Sequence, residues 1–292
     1  MKLKITNNLY IKKNSSPLII AEISANHMGK KKLFLDHIKV AAKNGADLIK
    51  IQTYEPQDIT LNLKTKNFLI KSGTWKGKNL WDLYSQGYTP FSWHKDAFKL
   101  AKKLRIPIFS SPFSKRAVDL LESFKVPIYK IASFEITDLS LIDYVARKKK
   151  PIIVSTGMAT LTEIKRAIKT IEKYHNKIII LYCVSGYPTL EKDTNILTIK
   201  KFQKIFKKYI IGISDHTDNI YSALSSTVLG ASVIEKHFII NKKTNSLDKL
   251  FSIDPNQLKE LKLFSKKMFL TLKSSKIGPK KNELSSLKLR RS

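Results

Sequence analysis

The chain alternates apolar, strand-like segments with amphipathic, helix-like segments eight times, and this alternation constrains the fold more than any other feature. The segments are apolar enough to be covered on both sides, as strands of a parallel sheet are. Eight such units predict an α/β protein with a closed (β/α)8 TIM barrel, and a doubly wound open sheet is the alternative. The strand candidates begin at Pro17, Asp47, Ile106, Pro127, Pro151, Lys177, Ile210 and Ser232.

Helix candidates lie between the strands, and some carry end signals. Thr160 and Glu163 have the spacing of a capping box, and Pro255 follows Asp254 as a helix-opening pair. The last predicted helix ends at Lys273. The candidates cover residues 31–44, 94–104, 115–124, 139–148, 161–175, 196–206, 220–229 and 255–273.

Three segments lie outside this alternation. Residues 1–16 predict an N-terminal β-hairpin with its turn at Asn7-Asn8. Residues 54–91, after the second barrel strand, form an insertion far longer than an ordinary βα loop and contain Trp75 and Trp81. The insertion is either a lid or substrate wall, or a small excursion that packs on itself. The barrel domain is predicted over residues 17–275, with a C-terminal tail over 276–292.

The charge of the chain is strongly positive, with 54 basic and 23 acidic residues and a formal net charge of +31. Such a charge raises the question of nucleic-acid binding. However, only six of the basic residues are arginine, and the lysines are spread along the chain. Nucleic-acid sites usually concentrate charge and use arginine. We therefore expect a lysine-rich solvated surface that attracts anionic small substrates, without nucleic acid as a partner.

Cys183 is the single cysteine, which excludes a disulfide framework and a CxxC metal site. The first residues lack the apolar core of a signal peptide, and no apolar run is long enough to span a bilayer. We expect a cytoplasmic protein without a membrane partner.

Polar residues stand at the C-terminal end of every predicted strand, where the site of a barrel enzyme lies. Lys50 and Lys130 are each flanked by apolar residues. Burying an ammonium group without an anion is costly, so each is expected in an ion pair or at an anion-binding site. Two lysines with a ring of hydroxyls suit a ligand that carries both phosphate and carboxylate. No Walker or GxGxxG loop is present, which argues against a nucleotide cofactor.

Two histidines, His216 and His237, stand at the ends of the last two predicted strands. Alone, each is typical of a packed core residue. Together, at adjacent strand ends of one barrel, they indicate half of an open metal site. The remaining coordination positions would serve water and substrate oxygens.

Seven short segments, in order, resemble the sialic acid synthase family, whose members condense phosphoenolpyruvate with an amino sugar. They are IIAEISANHMGK, GADLIKIQTYEP, IFSSPFS, YKIASFEITD, PIIVSTGMAT, GISDHTD and EKHF. Two further stretches, WKGKNLWDLYSQGYTPFSWHKDAF and LDKLFSIDP, are similar to the pseudaminic acid synthase branch of that family.

The resemblance implies a divalent metal, commonly Mn²⁺ with Mg²⁺ or Co²⁺ as alternatives, on His216 and His237. It implies active-site acids at Glu22 and Glu135, with the sequence leaving open which one moves the proton. Phosphoenolpyruvate contacts are implied for Lys50, Ser111, Lys130, Ser133, Ser155, Ser185 and Ser214. Gln52, Tyr187 and Asp248 match positions that line the sugar pocket.

The implied reaction joins phosphoenolpyruvate to a 2,4-diacetamido-2,4,6-trideoxyhexose and releases phosphate, giving pseudaminic acid. One alternative is N-acetylneuraminate synthesis from N-acetylmannosamine. An alternative of another class is a non-catalytic basic barrel that binds nucleic acid.

Family members usually continue past an Arg-Arg-Ser segment into a small antifreeze-like domain that reaches across a dimer. Here the sequence stops at Arg290-Arg291-Ser292, so the tail is interpreted as the start of that domain. The lid is then encoded separately, or the sequence is a fragment, or the protein works without a lid. We expect a homodimer, and a separate lid chain is a further partner in the first of these three cases.

Overall fold

Eight parallel strands form a closed barrel in the computed structural model, which describes residues 1–272, 274–275 and 277–291. The barrel strands follow one another in chain order, and the last pairs with the first. This confirms the predicted (β/α)8 barrel, and the open-sheet alternative is wrong. The barrel strands are β3 (Leu18–Glu22), β4 (Leu48–Thr53), β5 (Ile108–Pro112), β6 (Tyr129–Ile131), β7 (Ile152–Ser155), β8 (Ile178–Cys183), β9 (Ile210–Asp215) and β10 (Val233–His237).

Helices alternate with the barrel strands. The Thr160 side chain completes the predicted capping box with Glu163. Asp254 and Pro255 open the last helix as predicted, and Asp254 also forms a capping box with Gln257. The predicted helix end at Lys273, the predicted tail start at residue 276, and Ser292 lie outside the described residues. The helices are α1 (Lys31–Lys43), α2 (Leu80–Gly87), α3 (Phe91–Leu104), α4 (Lys115–Ser123), α5 (Leu139–Ala146), α6 (Leu161–Glu172), α7 (Thr198–Ile205), α8 (Tyr221–Val228) and α9 (Pro255–Thr271).

The predicted N-terminal hairpin consists of β1 (Lys2–Lys4) and β2 (Tyr10–Lys12), which pair antiparallel. Its apolar residues Leu3, Ile5 and Ile11 pack against residues from the starts of the barrel strands, such as Leu48 and Ile210. The hairpin therefore closes the N-terminal end of the barrel, opposite the strand ends that carry the polar residues.

Successive strand residues face opposite sides of the barrel wall. Ile153 and Ile179 belong to the apolar cluster inside the barrel, together with the hairpin. Their neighbours Ile152 and Ile178 belong to the larger cluster that includes the helices. Both sides are therefore dry near the strand starts. The same alternation, continued to the strand ends, decides which polar side chains enter the barrel.

The insertion over residues 54–91 folds over the C-terminal end of the barrel. It contains two short 3-10 helices, Pro56–Asp58 and Lys66–Phe68, followed by α2. Asn79 caps α2 by accepting a hydrogen bond from the Trp81 backbone N–H at 2.9 Å. The indole N–H of Trp75 donates to the Leu247 carbonyl at 3.2 Å, which fastens the insertion to the segment after β10.

No helix within residues 1–272, 274–275 and 277–291 combines the length and the apolar character that crossing a membrane requires.

Candidate active site

A cavity of about 440 Å³ opens at the C-terminal end of the barrel, where the strand ends and the insertion meet. Glu22, Ser111 and Ser185 do not line it but neighbour residues that do: Glu22 contacts Lys50, Ser185 contacts Ser133, and Ser111 pairs with Gln52 between strands. The other sequence-predicted residues line the cavity, namely Lys50, Gln52, Lys130, Ser133, Glu135, Ser155, Tyr187, Ser214, His216, His237 and Asp248.

A buried cluster of charges forms the floor of the cavity. Lys50 Nζ lies 2.5 Å from Glu22 Oε2 and 3.2 Å from Glu235 Oε1. Lys130 Nζ lies 3.4 Å from the same Glu235 oxygen, which also accepts a hydrogen bond from Ser214 Oγ at 3.1 Å. Glu235 thus bridges both lysines, although the sequence motifs gave it no role. Ion pairing, one of the two expectations for these lysines, is present in the structure.

The proton affinities of this cluster follow from burial and pairing. Burial opposes the charge of Lys50, but the carboxylates of Glu22 and Glu235 outweigh that effect and raise its pKa. Burial lowers the pKa of Lys130, which has fewer carboxylate contacts. For Glu235 burial is again outweighed, and Lys130 and Lys50 lower its pKa to about 2. Lys130 is therefore the cation whose charge is least compensated by the protein.

Glu135 is the carboxyl group poised to exchange a proton near neutral pH. It follows β6 and lines the cavity. Burial raises the pKa of Glu135 to about 7, and the more distant charge of Lys130 compensates only in part. Burial also raises the pKa of Glu22, against the nearby positive charge of Lys50. The pKa values of Glu135 and Glu22 are thus raised, whereas the pKa of Glu235 is lowered.

Several polar atoms around the floor are buried without a hydrogen-bond partner. Buried polar groups in folded proteins are normally paired, so a group of unpaired ones at a cavity indicates a ligand position. Two of the atoms are hydroxyls at strand ends, and three are carboxylate oxygens. They are Ser111 Oγ, Ser155 Oγ, Glu22 Oε1, Glu135 Oε2 and Glu235 Oε2.

The two histidines also line the cavity, with their ring centroids 5.4 Å apart. His216 Nδ1 lies 2.8 Å from the Val184 carbonyl, which can only accept, so Nδ1 carries the proton and Nε2 keeps its lone pair. Burial, together with the neighbouring His237, lowers the pKa of His216 to about 3, so this ring is neutral at physiological pH. A neutral imidazole held by a carbonyl is the form that binds metals.

His237 Nδ1 lies 3.4 Å from Asp248 Oδ2 and has no other polar partner. In the parts of the chain that the structure describes, no group of three or more His, Cys, Asp or Glu side chains is arranged as a complete metal site. His216 and His237 would supply two imidazole ligands to a divalent cation, a set that leaves further coordination positions for oxygen ligands from water or substrate.

Aromatic side chains wall the histidine side of the cavity. The Tyr187 ring lies 4.5 Å from His216, and the Phe251 ring lies 4.8 Å from His237. Trp75 reaches from the insertion to within 5.7 Å of the Tyr187 ring. Tyr84 of α2 also lines the cavity. The insertion is thus a wall of the cavity, which decides between the two readings of it in the sequence.

The comparisons with known proteins agree with this geometry. The NeuB family model matches residues 37–276. The pseudaminic acid synthase of Helicobacter pylori is 45% identical over 267 residues, covering 90% of this chain and 78% of that protein. The pseudaminic acid synthase of Campylobacter jejuni is 42% identical over 244 residues, covering 83% and 71%.

Among solved structures, the N-acetylneuraminic acid synthetase of Leptospira borgpetersenii, in complex with citrate, superposes with a TM-score of 0.88 at 27% identity. The match covers 99% of this chain and 96% of that one. With a family model over most of its length and relatives above 40% identity, the chain belongs to the NeuB family.

Proposed function

We propose that this protein is a nonulosonic acid synthase that condenses phosphoenolpyruvate with a 2,4-diacetamido-2,4,6-trideoxyhexose, giving pseudaminic acid and phosphate. Relatives named pseudaminic acid synthase, at 45% and 42% identity, support this choice of acceptor sugar. The observation that carries the proposal is that the buried Lys50–Glu235–Lys130 cluster and two histidines line one cavity.

The lysine side of the cavity is proposed to hold phosphoenolpyruvate. The ammonium group of Lys130 lies 3.4 Å from the Glu235 carboxylate, a long ion pair that compensates its charge only in part. A phosphate or carboxylate group that enters the cavity would pair with the remaining charge. The unpaired hydroxyl of Ser155, which lines the cavity, donates a hydrogen bond to the same anion. Cations fixed in a dry site also stabilise the charge of the departing phosphate.

The histidine side is proposed to hold a divalent cation, Mn²⁺ in the first place, on His216 and His237. When bound, such a cation supplies Lewis-acid polarisation of the sugar's aldehyde oxygen. The hydrogen bond from His216 Nδ1 to Val184 orients that ring. Titration of the apoprotein with Mn²⁺ tests this assignment without turnover: the His216→Ala variant should lose binding, and His175→Ala, remote from the cavity, should keep it.

The bonds made and broken follow from these positions. The methylene carbon of phosphoenolpyruvate attacks the aldehyde carbon of the open-chain sugar, and a C–C bond forms. The aldehyde oxygen takes up a proton, water adds to the former enol carbon, and phosphate leaves by C–O cleavage. Glu135, with a pKa of about 7, is the proposed group that exchanges protons at this step.

The decisive experiment is a phosphate-release assay with phosphoenolpyruvate, Mn²⁺ and either of two sugars. We expect release with the 2,4-diacetamido-2,4,6-trideoxyhexose and much slower release with N-acetylmannosamine. A reversed preference would replace the proposal by N-acetylneuraminate synthesis. No release with either sugar, combined with tight and steeply salt-dependent duplex binding, would instead favour a non-catalytic basic barrel.

A further inference from the structure

Gly157, which follows β7, has a backbone conformation that residues other than glycine rarely adopt. Its φ of +44° lies in the left-handed region. A Cβ atom at this position would lie 2.4 Å from Ser133 Cβ and 2.7 Å from Ser185 Oγ. Non-bonded contacts this short do not persist, so Ser133 or Ser185 would have to move. The two serines therefore occupy the space that a side chain at position 157 would need.

The residues around Gly157 join three neighbouring strands. Ser133 follows β6 and Ser185 follows β8, on either side of the strand that leads to Gly157. Their hydroxyl oxygens lie 2.9 Å apart, and both interact with the Tyr187 hydroxyl. The Gly157 N–H is hydrogen-bonded to Cys183 Sγ, which lies 3.7 Å from Ser185 Oγ.

We propose that Gly157 is a positioning residue for the donor half of the site: by lacking a side chain it lets Ser133 and Ser185 meet and present one polar cluster to the anion. The inference rests on the proposed function, because it assigns that cluster to phosphoenolpyruvate. Gly157 itself does not line the cavity. It acts through Ser133, which does.

The placement predicts a larger effect on phosphoenolpyruvate than on the sugar, which the displaced serines reach only through Tyr187. Ser133, Ser155 and Lys130 line the cavity and are proposed to contact phosphoenolpyruvate, whereas the sugar is proposed to meet the histidines and the insertion. Displacing the serines therefore weakens binding of the three-carbon anion. General loosening of the barrel would instead change both substrates and the melting temperature together.

The test compares Gly157→Ala with Gly29→Ala. Gly29 also has a left-handed backbone, with φ of +66°, but a Cβ there meets nothing within 4 Å. Gly29→Ala thus reproduces the backbone strain without the collision. We expect Gly157→Ala to raise the KM for phosphoenolpyruvate at least about tenfold and Gly29→Ala to leave it within about twofold. The sugar KM should change less than about threefold in both variants. Calorimetric titration with phosphoenolpyruvate alone should give the same ranking.

A double-mutant cycle asks whether Gly157 acts through Ser133. Ser133→Ala should raise the phosphoenolpyruvate KM, and adding Gly157→Ala to it should raise the KM little further. Full additivity would overturn the proposal, as would an unchanged phosphoenolpyruvate KM in Gly157→Ala. If Gly157→Ala does not fold, Ser133→Gly/Gly157→Ala, which removes the 2.4 Å contact, must restore folding, and failure to do so would also overturn it.

The wild-type protein separates this proposal from the proposed function. If wild type neither binds phosphoenolpyruvate nor releases phosphate with either sugar, both proposals fall. If wild type is active and Gly157→Ala matches Gly29→Ala in every constant, only the role of Gly157 is refuted.

Discussion

Lys236 Nζ lies 2.9 Å from Asp215 Oδ2, and both side chains are fully buried at the ends of β10 and β9. Thr217 joins them, because its hydroxyl lies 3.1 Å from both the ammonium and the same carboxylate oxygen. Lys236 shares the outward parity of Ile234, which packs toward the helices. This ion pair therefore braces the barrel wall directly behind His216 and His237.

Removing one partner of this pair should destabilise the fold strongly. In Lys236→Met the Asp215 carboxylate stays buried without its cation, and we expect the free energy of unfolding to fall by about 3–5 kcal/mol. The double variant Asp215→Asn/Lys236→Met buries no charge and should recover most of that loss. Urea unfolding of the three proteins provides the measurement. A double variant as unstable as the single one would show that the pair is not what braces the wall.

Lys130→Met should lower kcat/KM for phosphoenolpyruvate by roughly 10²–10³-fold, about 3–4 kcal/mol of transition-state stabilisation. The reason is that Lys130 is the cation least compensated by carboxylates at the cavity floor. The matched control is Lys259→Met, which removes an exposed lysine of α9 and should leave kcat/KM unchanged. Equal losses in the two variants would point to net charge, and not to position, as the cause.

Glu135 predicts a pH-dependent stability. Its pKa is raised to about 7 in the folded protein from an ordinary value of 4.5, so the folded state binds more protons between these values. Stability from this group is fully present below about pH 4.5 and is lost as the pH rises through 7. Relative to wild type, Glu135→Gln should gain about 3 kcal/mol in unfolding free energy between pH 4.5 and pH 8.

Chemical denaturation of both proteins at a series of pH values measures this difference. A difference that does not change with pH would mean that Glu135 titrates normally. The rate should report the same group: we expect phosphate release in wild type to change around pH 7, and this inflection to be absent from the residual activity of Glu135→Gln.

Trp75→Phe should raise the KM for the sugar and leave the KM for phosphoenolpyruvate unchanged. The substitution removes the hydrogen bond from the indole N–H to the Leu247 carbonyl, worth about 1 kcal/mol net, so the sugar KM should rise roughly fivefold. The phosphoenolpyruvate KM should not change. Trp81→Phe is the control, because Trp81 lies in α2 but does not line the cavity. A rise in both KM values would place Trp75 in general packing.

The barrel was predictable because its repeating unit is written in the sequence. Apolar runs covered on both sides and alternating with capped helices leave few arrangements, and closure follows from their number. Lys50 and Lys130 could be identified because an ammonium between isoleucine or tyrosine neighbours needs a nearby anion.

Glu235 was harder to assign, because the apolar pattern that identifies the strands does not show which of their residues point into the barrel. Where both faces of a strand are apolar, as at Val233 and Ile234, the pattern does not show which residue of each pair points inward. Glu235 and Lys236 therefore look equivalent in sequence, yet one enters the cavity and the other is paired behind the wall. Which of the two residues points into the barrel becomes known only when the strands are paired in three dimensions.

The contacts of the insertion were not predictable either. Trp75 meets Leu247 and Tyr187 across more than 100 intervening residues, and irregular backbone carries no periodic signal for such pairings. Tyr84 and Phe251 likewise gave no sign in sequence that they would border the same cavity.

The cavity is lined partly by the barrel strand ends and partly by the insertion over residues 54–91, and this has an evolutionary consequence. Each barrel strand is held in register by two neighbouring strands, so a substitution at a strand end disturbs the packing of both. Trp75 and Tyr84, in contrast, reach the cavity from a segment whose length and composition can drift independently. Under the proposed function, changes within this one segment would alter the choice of acceptor sugar, while the strand ends would keep their contacts with phosphoenolpyruvate.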